Sequence, residues 1–269
     1  MCTHLGTTQP VMPKGRVKET NPEPRKPTVT LGQDWQSQAK IVHPRNSVAN
    51  ADVYLVQVGD RELLAKTYAN NPAWARLLLG RWGLSREYRA MTELDTLPGV
   101  PQVHGVHAGH TLLMDYVADG TPLVARRELT PDRYLPLAFF HRLRELTHEM
   151  HRRGVAHGDM RRTNILRTKD NQPVLIDFAT AVRWQRFNPL ARILFHALRR
   201  TDEFGVGKLQ MSFYPDSLSE DERQRILRKP WYLSLGRFLR KRVYRKWIKQ
   251  RRWRKRIRAW CQTSCKQKD

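Results

Sequence analysis

Cysteine is scarce, with only Cys2, Cys261 and Cys265 in 269 residues. That excludes a disulfide framework, and a reducing compartment is the natural reading. Long apolar runs are missing too: none approaches the ~18–20 residues that a membrane span needs. The proline-bearing N-terminus (Pro10, Pro13, Pro22, Pro24, Pro27) has no apolar stretch, so it does not read as a secretory signal. No internal repeat is visible. Acidic residues are few, 25 against 49 Lys and Arg, giving a net charge of +24. With 40% hydrophobic residues the chain buries one substantial core, or at most two small ones. It is expected in the cytoplasm.

The positive charge is concentrated at one end. From Arg223 to Asp269 there are 19 Lys or Arg and one acid, which leaves only +6 on the preceding residues. Leu235, Leu239, Val243 and Trp247 step by four through this region, and Trp253, Ile257 and Trp260 continue at helical spacing. Residues 231–269 are therefore expected to form a basic amphipathic helix. Tryptophan with Lys and Arg is the composition of helices lying in a membrane interface, and each cation near an anionic leaflet contributes about 1 kcal/mol. An anionic membrane surface on the inner face of the cytoplasmic membrane is the expected partner. Nucleic acid competes for the same charge, and packing of the stripe on the globular part is the plain alternative.

Before this tail the pattern is that of a small mixed protein. Residues 1–34 read as a disordered Pro-rich leader. Val53–Val58 and Leu63–Tyr68 are β-rich runs joined at Gly59-Asp60, a hairpin signal. Ala73–Leu97 is helical, with a break expected near Gly80–Gly83, and Val103–His107 with Thr111–Val117 forms a second hairpin. Thr130-Pro131 reads as the start of a helix whose buried stripe is Leu135, Phe139, Leu143, Leu146 and Met150, ending at Gly154. A short hairpin over Ile165–Arg167 and Val174–Asp177 follows. Helical segments come next, one over Pro189–Arg200 and one capped by Ser219 with Glu222.

The chemistry is concentrated in His157-Gly158-Asp159-Met160-Arg161-Arg162-Thr163-Asn164 and, 18 residues after Asp159, Asp177-Phe178. An Asp, an Asn five residues on and a later Asp-Phe have the spacing of a kinase catalytic loop and metal-binding turn. Upstream, Lys66 lies on the second strand of the first hairpin, and Glu87 follows 21 residues later on the inserted helix. Order, spacing and context together resemble the protein-kinase-like superfamily over roughly residues 41–215.

That resemblance implies an α+β, bilobal fold: an antiparallel N-lobe with one helix over 35–117 and a reduced helical C-lobe over 118–230. It also implies ATP and Mg²⁺ as cofactors. Phosphoryl transfer is mostly positioning and charge neutralisation, and these residue types suit it. By resemblance Lys66 would hold the α- and β-phosphates and Glu87 would fix Lys66. Asn164 and Asp177 would ligate Mg²⁺, which prefers hard oxygens. Asp159 would orient or deprotonate the acceptor hydroxyl, and Arg161 would be the phosphate-facing cation of Ser/Thr kinases. Asp115 and Val117 would meet adenine through their backbones.

Departures narrow the resemblance. The phosphate-covering stretch Asn46–Val53 has no glycine; it resembles instead the loop of RIO-type atypical kinases, with Ser47 and backbone amides cradling phosphate. Gly158 replaces the Arg that reads a phosphorylated activation loop, and Ala179 replaces a flexible Gly. No Ala-Pro-Glu follows, and the stretch from Asp177 to the basic tail is too short for a full peptide platform. The chain thus looks like a bacterial minimal kinase between the RIO-type kinases and the Kdo/heptose kinases of lipopolysaccharide core assembly, while His-Gly-Asp also resembles aminoglycoside and choline phosphotransferases. A Ser/Thr protein kinase is the expected activity. A lipopolysaccharide core-sugar kinase is the alternative, and a pseudokinase scaffold working through its basic tail is the alternative of another class. The acceptor is a protein or a lipid-linked sugar hydroxyl.

Other patterns carry less. Phe204–Lys208 lacks the residues of a P-loop, and His148-Glu149-Met150-His151 is one residue short of the zinc-protease motif, which makes its histidines polar-face residues. His104, His107 and His110 read as solvated, and Cys261 with Cys265 as no metal site. Asp202 reads equally as a surface residue or as a buried carboxylate propping the catalytic loop. Arg162 and Thr163 receive no role.

Overall fold

A computed structural model describes residues 31–32, 34–45, 50–123 and 134–227. Of the Pro-rich stretch 1–34 only Leu31, Gly32 and Asp34 are described, and Leu31 is buried; residues 1–30, Ser47, Thr130-Pro131 and the basic region 231–269 lie outside the described residues. The fold is α+β, with a five-stranded antiparallel sheet and helices in two lobes.

The N-terminal part opens with the short helix α1 (Trp35–Gln38) and strand β1 (Lys40–His43). The hairpin β2 (Asp52–Val58) and β3 (Arg61–Thr67) turns at Gly59, whose φ of +59° suits glycine. Strands β4 (Val103–His107) and β5 (Thr111–Asp115) complete the sheet in the order β1-β2-β3-β5-β4. Alternation along β3 separates two environments. Leu63 and Ala65 join a small cluster with Leu31, Val56 and Leu113, whereas Leu64 packs against the main core. Lys66 follows Leu64 at period two and so shares its face.

Between β3 and β4 runs one continuous helical stretch: α2 (Ala73–Ala75), a π-helical segment Arg76–Gly83, and α3 (Leu84–Thr92). The expected break at Gly80–Gly83 is therefore a widening and not an interruption. Gly80 sits where a Cβ would meet Tyr68 and His110 at 3.2 Å, so the helix lies close against the sheet there. Leu84, Glu87, Ala90 and Met91 form the buried face of α3, which places a carboxylate within an otherwise apolar stripe.

The C-terminal part is built on α4 (Leu137–Arg152) and α5 (Pro189–Phe213). Helix α4 begins later than the sequence predicts, because Pro136 is its extended N-cap, and Leu135 is buried just ahead of it. Helix α5 runs well past Arg200, so Asp202 lies on it. Helix α6 (Glu220–Leu227) opens with the expected capping box, in which Ser219 and Glu222 exchange hydrogen bonds. Two small sheets carry the loops: β6 (Thr121–Pro122) pairs with β8 (Ile165–Arg167), which pairs with β9 (Pro173–Leu175), and β7 (Val155–Ala156) pairs with β10 (Val182–Arg183).

Both parts share a core that extends from Leu84, Met91 and Leu112 to Phe139, Leu143, Ile165 and Phe178. A second tie lies behind it. The Gly99 carbonyl accepts the Leu175 N–H at 2.8 Å, and Gly99, at φ +92°, leaves no room for a Cβ, which would stand 2.7 Å from Leu146.

Candidate active site

Strand β3 and helix α3 bring Lys66 and Glu87 together. Lys66 Nζ donates to both Glu87 carboxylate oxygens at 2.9 and 3.0 Å, and to Asp177 Oδ1 at 2.9 Å. Burial would lower the Lys66 pKa, but the two carboxylates outweigh it and hold the ammonium well above its ordinary 10.5. Burial would likewise raise Asp177, yet the charge and hydrogen bond of Lys66 prevail and hold it below its ordinary 3.8. Asp177 adopts φ +65°, a left-handed conformation in a non-glycine residue, and the short 3₁₀ turn Phe178–Thr180 follows it. Strain of this kind persists only where the surroundings impose it. Phe178 is fully buried against the His157 ring, with centroids 4.6 Å apart.

The second group lies on the loop after β7. Asn164 Nδ2 donates to the Asp159 carbonyl and to Asp159 Oδ2, both at 3.1 Å. Arg161 Nε stands 2.9 Å from the same Oδ2. The Asn164 carbonyl accepts the N–H of Ile176 at 3.0 Å, which fastens this group beside Asp177. Six of the sequence-predicted residues, Lys66, Glu87, Asp159, Arg161, Asn164 and Asp177, thus form two adjoining hydrogen-bonded sets.

The expected adenine contacts sit at the end of β5. Asp115 pairs with Leu63 in the sheet, and its side chain turns toward β4, accepting from Gln102 N at 3.2 Å and lying 2.6 Å from His104 Nε2. The Val117 carbonyl accepts the Gly120 N–H at 3.0 Å.

Beneath the loop the structure decides the case of Asp202. It is fully buried and accepts the N–H groups of His157 at 2.7 Å and Gly158 at 2.8 Å, with His151 Nε2 at 3.1 Å. Gly158 has φ +80°, and a Cβ there would meet Leu198 at 3.0 Å and the Thr180 carbonyl at 3.2 Å. His157 Nε2 donates to the Ile176 carbonyl at 3.0 Å while its Nδ1 accepts from Asp159 N at 3.3 Å, so one ring orients both halves of the site.

Two sequence expectations are corrected. His151 is not on the polar face of α4 but buried against Asp202, and His104 is not solvated but held by Asp115. Sequence reading also missed Arg86, which donates to the Ala179 carbonyl at 2.6 Å and braces the turn after Asp177 from α3. Arg45, Asp52 and Asn71 were missed as well. Arg45 N donates to Asp52 at 2.9 Å and Arg45 Nη1 to Asn71 at 2.8 Å, tying both flanks of residues 46–49 to the end of β3. The signal for both was adjacency: Arg86 precedes Glu87, and Asp52 lies in the stretch already singled out for phosphate.

The donor types suit Mg²⁺ bound to a nucleotide: the carboxylate of Asp177 and the amide oxygen of Asn164 belong to segments joined by the Ile176 N–H to Asn164 carbonyl bond, and the Lys66 ammonium is one hydrogen bond from Asp177. Among the described residues no cluster of three or more His, Cys, Asp or Glu forms a metal cage. A protein-family model described as "RIO domain" matches residues 67–197, a span that begins one residue after Lys66 and includes every other residue of the two sets. A search of curated proteins finds no match.

Proposed function

Because the chain carries a RIO domain and is a protein-kinase-like protein of the RIO type, the class of atypical kinases that use ATP, we propose that it transfers the γ-phosphoryl group of ATP to a hydroxyl acceptor, with protein Ser/Thr as the acceptor class. The observation that carries this reading is the pair of sets around Lys66–Glu87–Asp177 and Asp159–Asn164. Lys66, held by Glu87, presents a fixed cation to nucleotide phosphates. Asp177 and Asn164 would hold Mg²⁺, which would neutralise charge on the phosphates. Asp159, oriented by Asn164, accepts the acceptor's proton or aligns its hydroxyl. Arg161, paired with the same carboxylate, places a second cation at the acceptor side, as in Ser/Thr kinases.

A second reading, a lipid-linked sugar acceptor, draws support from the stretch between Asp177 and α5. Only residues 178–188 lie there, and the β10 strand takes two of them, which leaves little chain for a peptide platform.

The test is incubation of the pure protein with γ-labelled ATP, Mg²⁺ and a whole-cell extract beside the Asp159→Ala variant, with the protein and glycolipid fractions counted separately. Label in protein that the variant loses supports the protein-kinase reading. Label in glycolipid selects the sugar acceptor. Label in neither, without ATP binding, replaces both with a scaffold.

A further inference from the structure

Helical residues 73–83 leave Trp74, Leu77, Leu78 and Trp82 in the open, between 57% and 67% exposed. Trp74, Leu78 and Trp82 are four residues apart, a spacing that keeps them on one side of the helix. Scattered exposed apolar residues are ordinary, but four large ones on three turns form the kind of patch that marks an interaction surface. The charges among them are Arg76 and Arg81, and no acidic residue occurs between Lys66 and Glu87.

The same segment walls an open cleft of about 560 Å³ between Ala73, Arg76, Leu77 and Arg81 on one side and Ala108, Gly109 and His110 of the β4–β5 turn on the other. Arg76 reaches only the Ala69 carbonyl, at 3.5 Å, and neither Arg76 nor Arg81 has an acidic partner among the described residues. Burial, and next the charge of Arg76, hold the His110 pKa below its ordinary 6.5, in keeping with a positive cleft.

We propose that residues 73–83, together with the β4–β5 turn, dock on an anionic phospholipid bilayer, the Trp and Leu side chains entering the boundary between headgroups and acyl chains while Arg76 and Arg81 hold lipid phosphates. Charge selects this occupant. The chain's own basic region 231–269, with its 15 Lys or Arg against one acid, is repelled by the two arginines, and a second copy carries the same net charge of +24. Nucleic acid offers phosphates but no apolar layer for two tryptophans and two leucines. Tryptophan and leucine on one face with arginine beside them is the composition of an interfacial helix. The inference does not rest on phosphoryl transfer, because vesicle binding is read without ATP.

The test uses the full-length protein and sedimentation with vesicles of phosphatidylcholine, with and without phosphatidylglycerol. Wild type is expected on the anionic vesicles, and W74S/W82S and R76Q/R81Q are each expected to lower the partition coefficient by about tenfold, with unchanged circular dichroism. Brominated lipid should quench tryptophan fluorescence in wild type more than in W74F/W82F. A loss smaller than about threefold in W74S/W82S overturns the proposal, whatever residues 231–269 contribute. Equal binding to neutral and anionic vesicles, or a wild-type dimer that these substitutions dissolve, also overturns it.

Discussion

Lys66 Nζ lies 2.9 Å from Asp177 Oδ1, so the cation proposed for the phosphates and the carboxylate proposed for the metal neutralise each other across 111 residues of chain. Lys66→Met is expected to lower phosphoryl transfer by about 10²–10³-fold, the loss typical of a preorganised charge at the transferring group. Far-UV circular dichroism should be unchanged. Transfer within about tenfold of wild type at saturating ATP removes Lys66 from that role.

The same bond sets a pH dependence. Asp177 is depressed in the folded chain, so its contribution to stability is present above its ordinary 3.8 and fades as pH falls through the lower folded value. Lys66 is raised, so its contribution is complete below 10.5 and fades only as pH climbs beyond that. Asp177→Asn is expected to abolish Mg²⁺-dependent transfer. It should also be less stable than wild type across neutral pH, by a margin that closes on acidification below pH 3.8. Urea unfolding of both proteins over a pH series measures the margin, and one that stays constant into acid refutes the assignment.

Asp202 accepts two backbone N–H groups of the catalytic loop and lies beside His151. Asp202→Ala leaves these donors unpaired in a dry site, at about 1–3 kcal/mol each. A lowered urea midpoint is expected, with kcat falling more than ATP affinity because the loop, and not Lys66, loses its support. Asp202→Asn, which keeps one acceptor, should fall between. A kcat unchanged in both variants would separate Asp202 from the loop's geometry.

Gly158 stands at φ +80° with Leu198 and the Thr180 carbonyl where a Cβ would go. Gly158→Ala is therefore expected to destabilise by about 1–2 kcal/mol from the left-handed conformation alone, and further from the contact. Restoring the arginine common in regulated kinases should be worse still. A thermal melt of Gly158→Ala that matches wild type would contradict this account.

What the sequence made legible was whatever rests on local pattern. The β2–β3 hairpin follows from alternation and its Gly59 turn, and the Lys66-to-Glu87 and Asp159-to-Asn164-to-Asp177 spacings survive because each spans only elements that follow one another in the chain: β3 to the helix after it, and the loop after β7 to the turn after β9. What stayed hidden depends on contacts between distant elements. His151 belongs by type to a polar face, and only Asp202, arriving on α5, makes its burial tolerable. Gly80 reads as a breaker until the sheet edge at Tyr68 and His110 is known to press against it. Gly205 in the middle of α5 is similar: a Cβ there would stand 2.8 Å from the Met160 carbonyl, so the glycine marks close approach to the catalytic loop and not the end of a helix.

Gly99 fastens the N-lobe's returning chain to β9 at the back of the molecule, and residues 116–120 join the lobes at the end of β5. The lobes are thus tied along a seam: the shared core at its centre, Arg86 on the Ala179 carbonyl at one side and the Gly99 carbonyl on Leu175 at another. A larger side chain at position 99 would press on Leu146 and the Pro173 carbonyl, loading that seam from a place that touches none of the residues around Lys66.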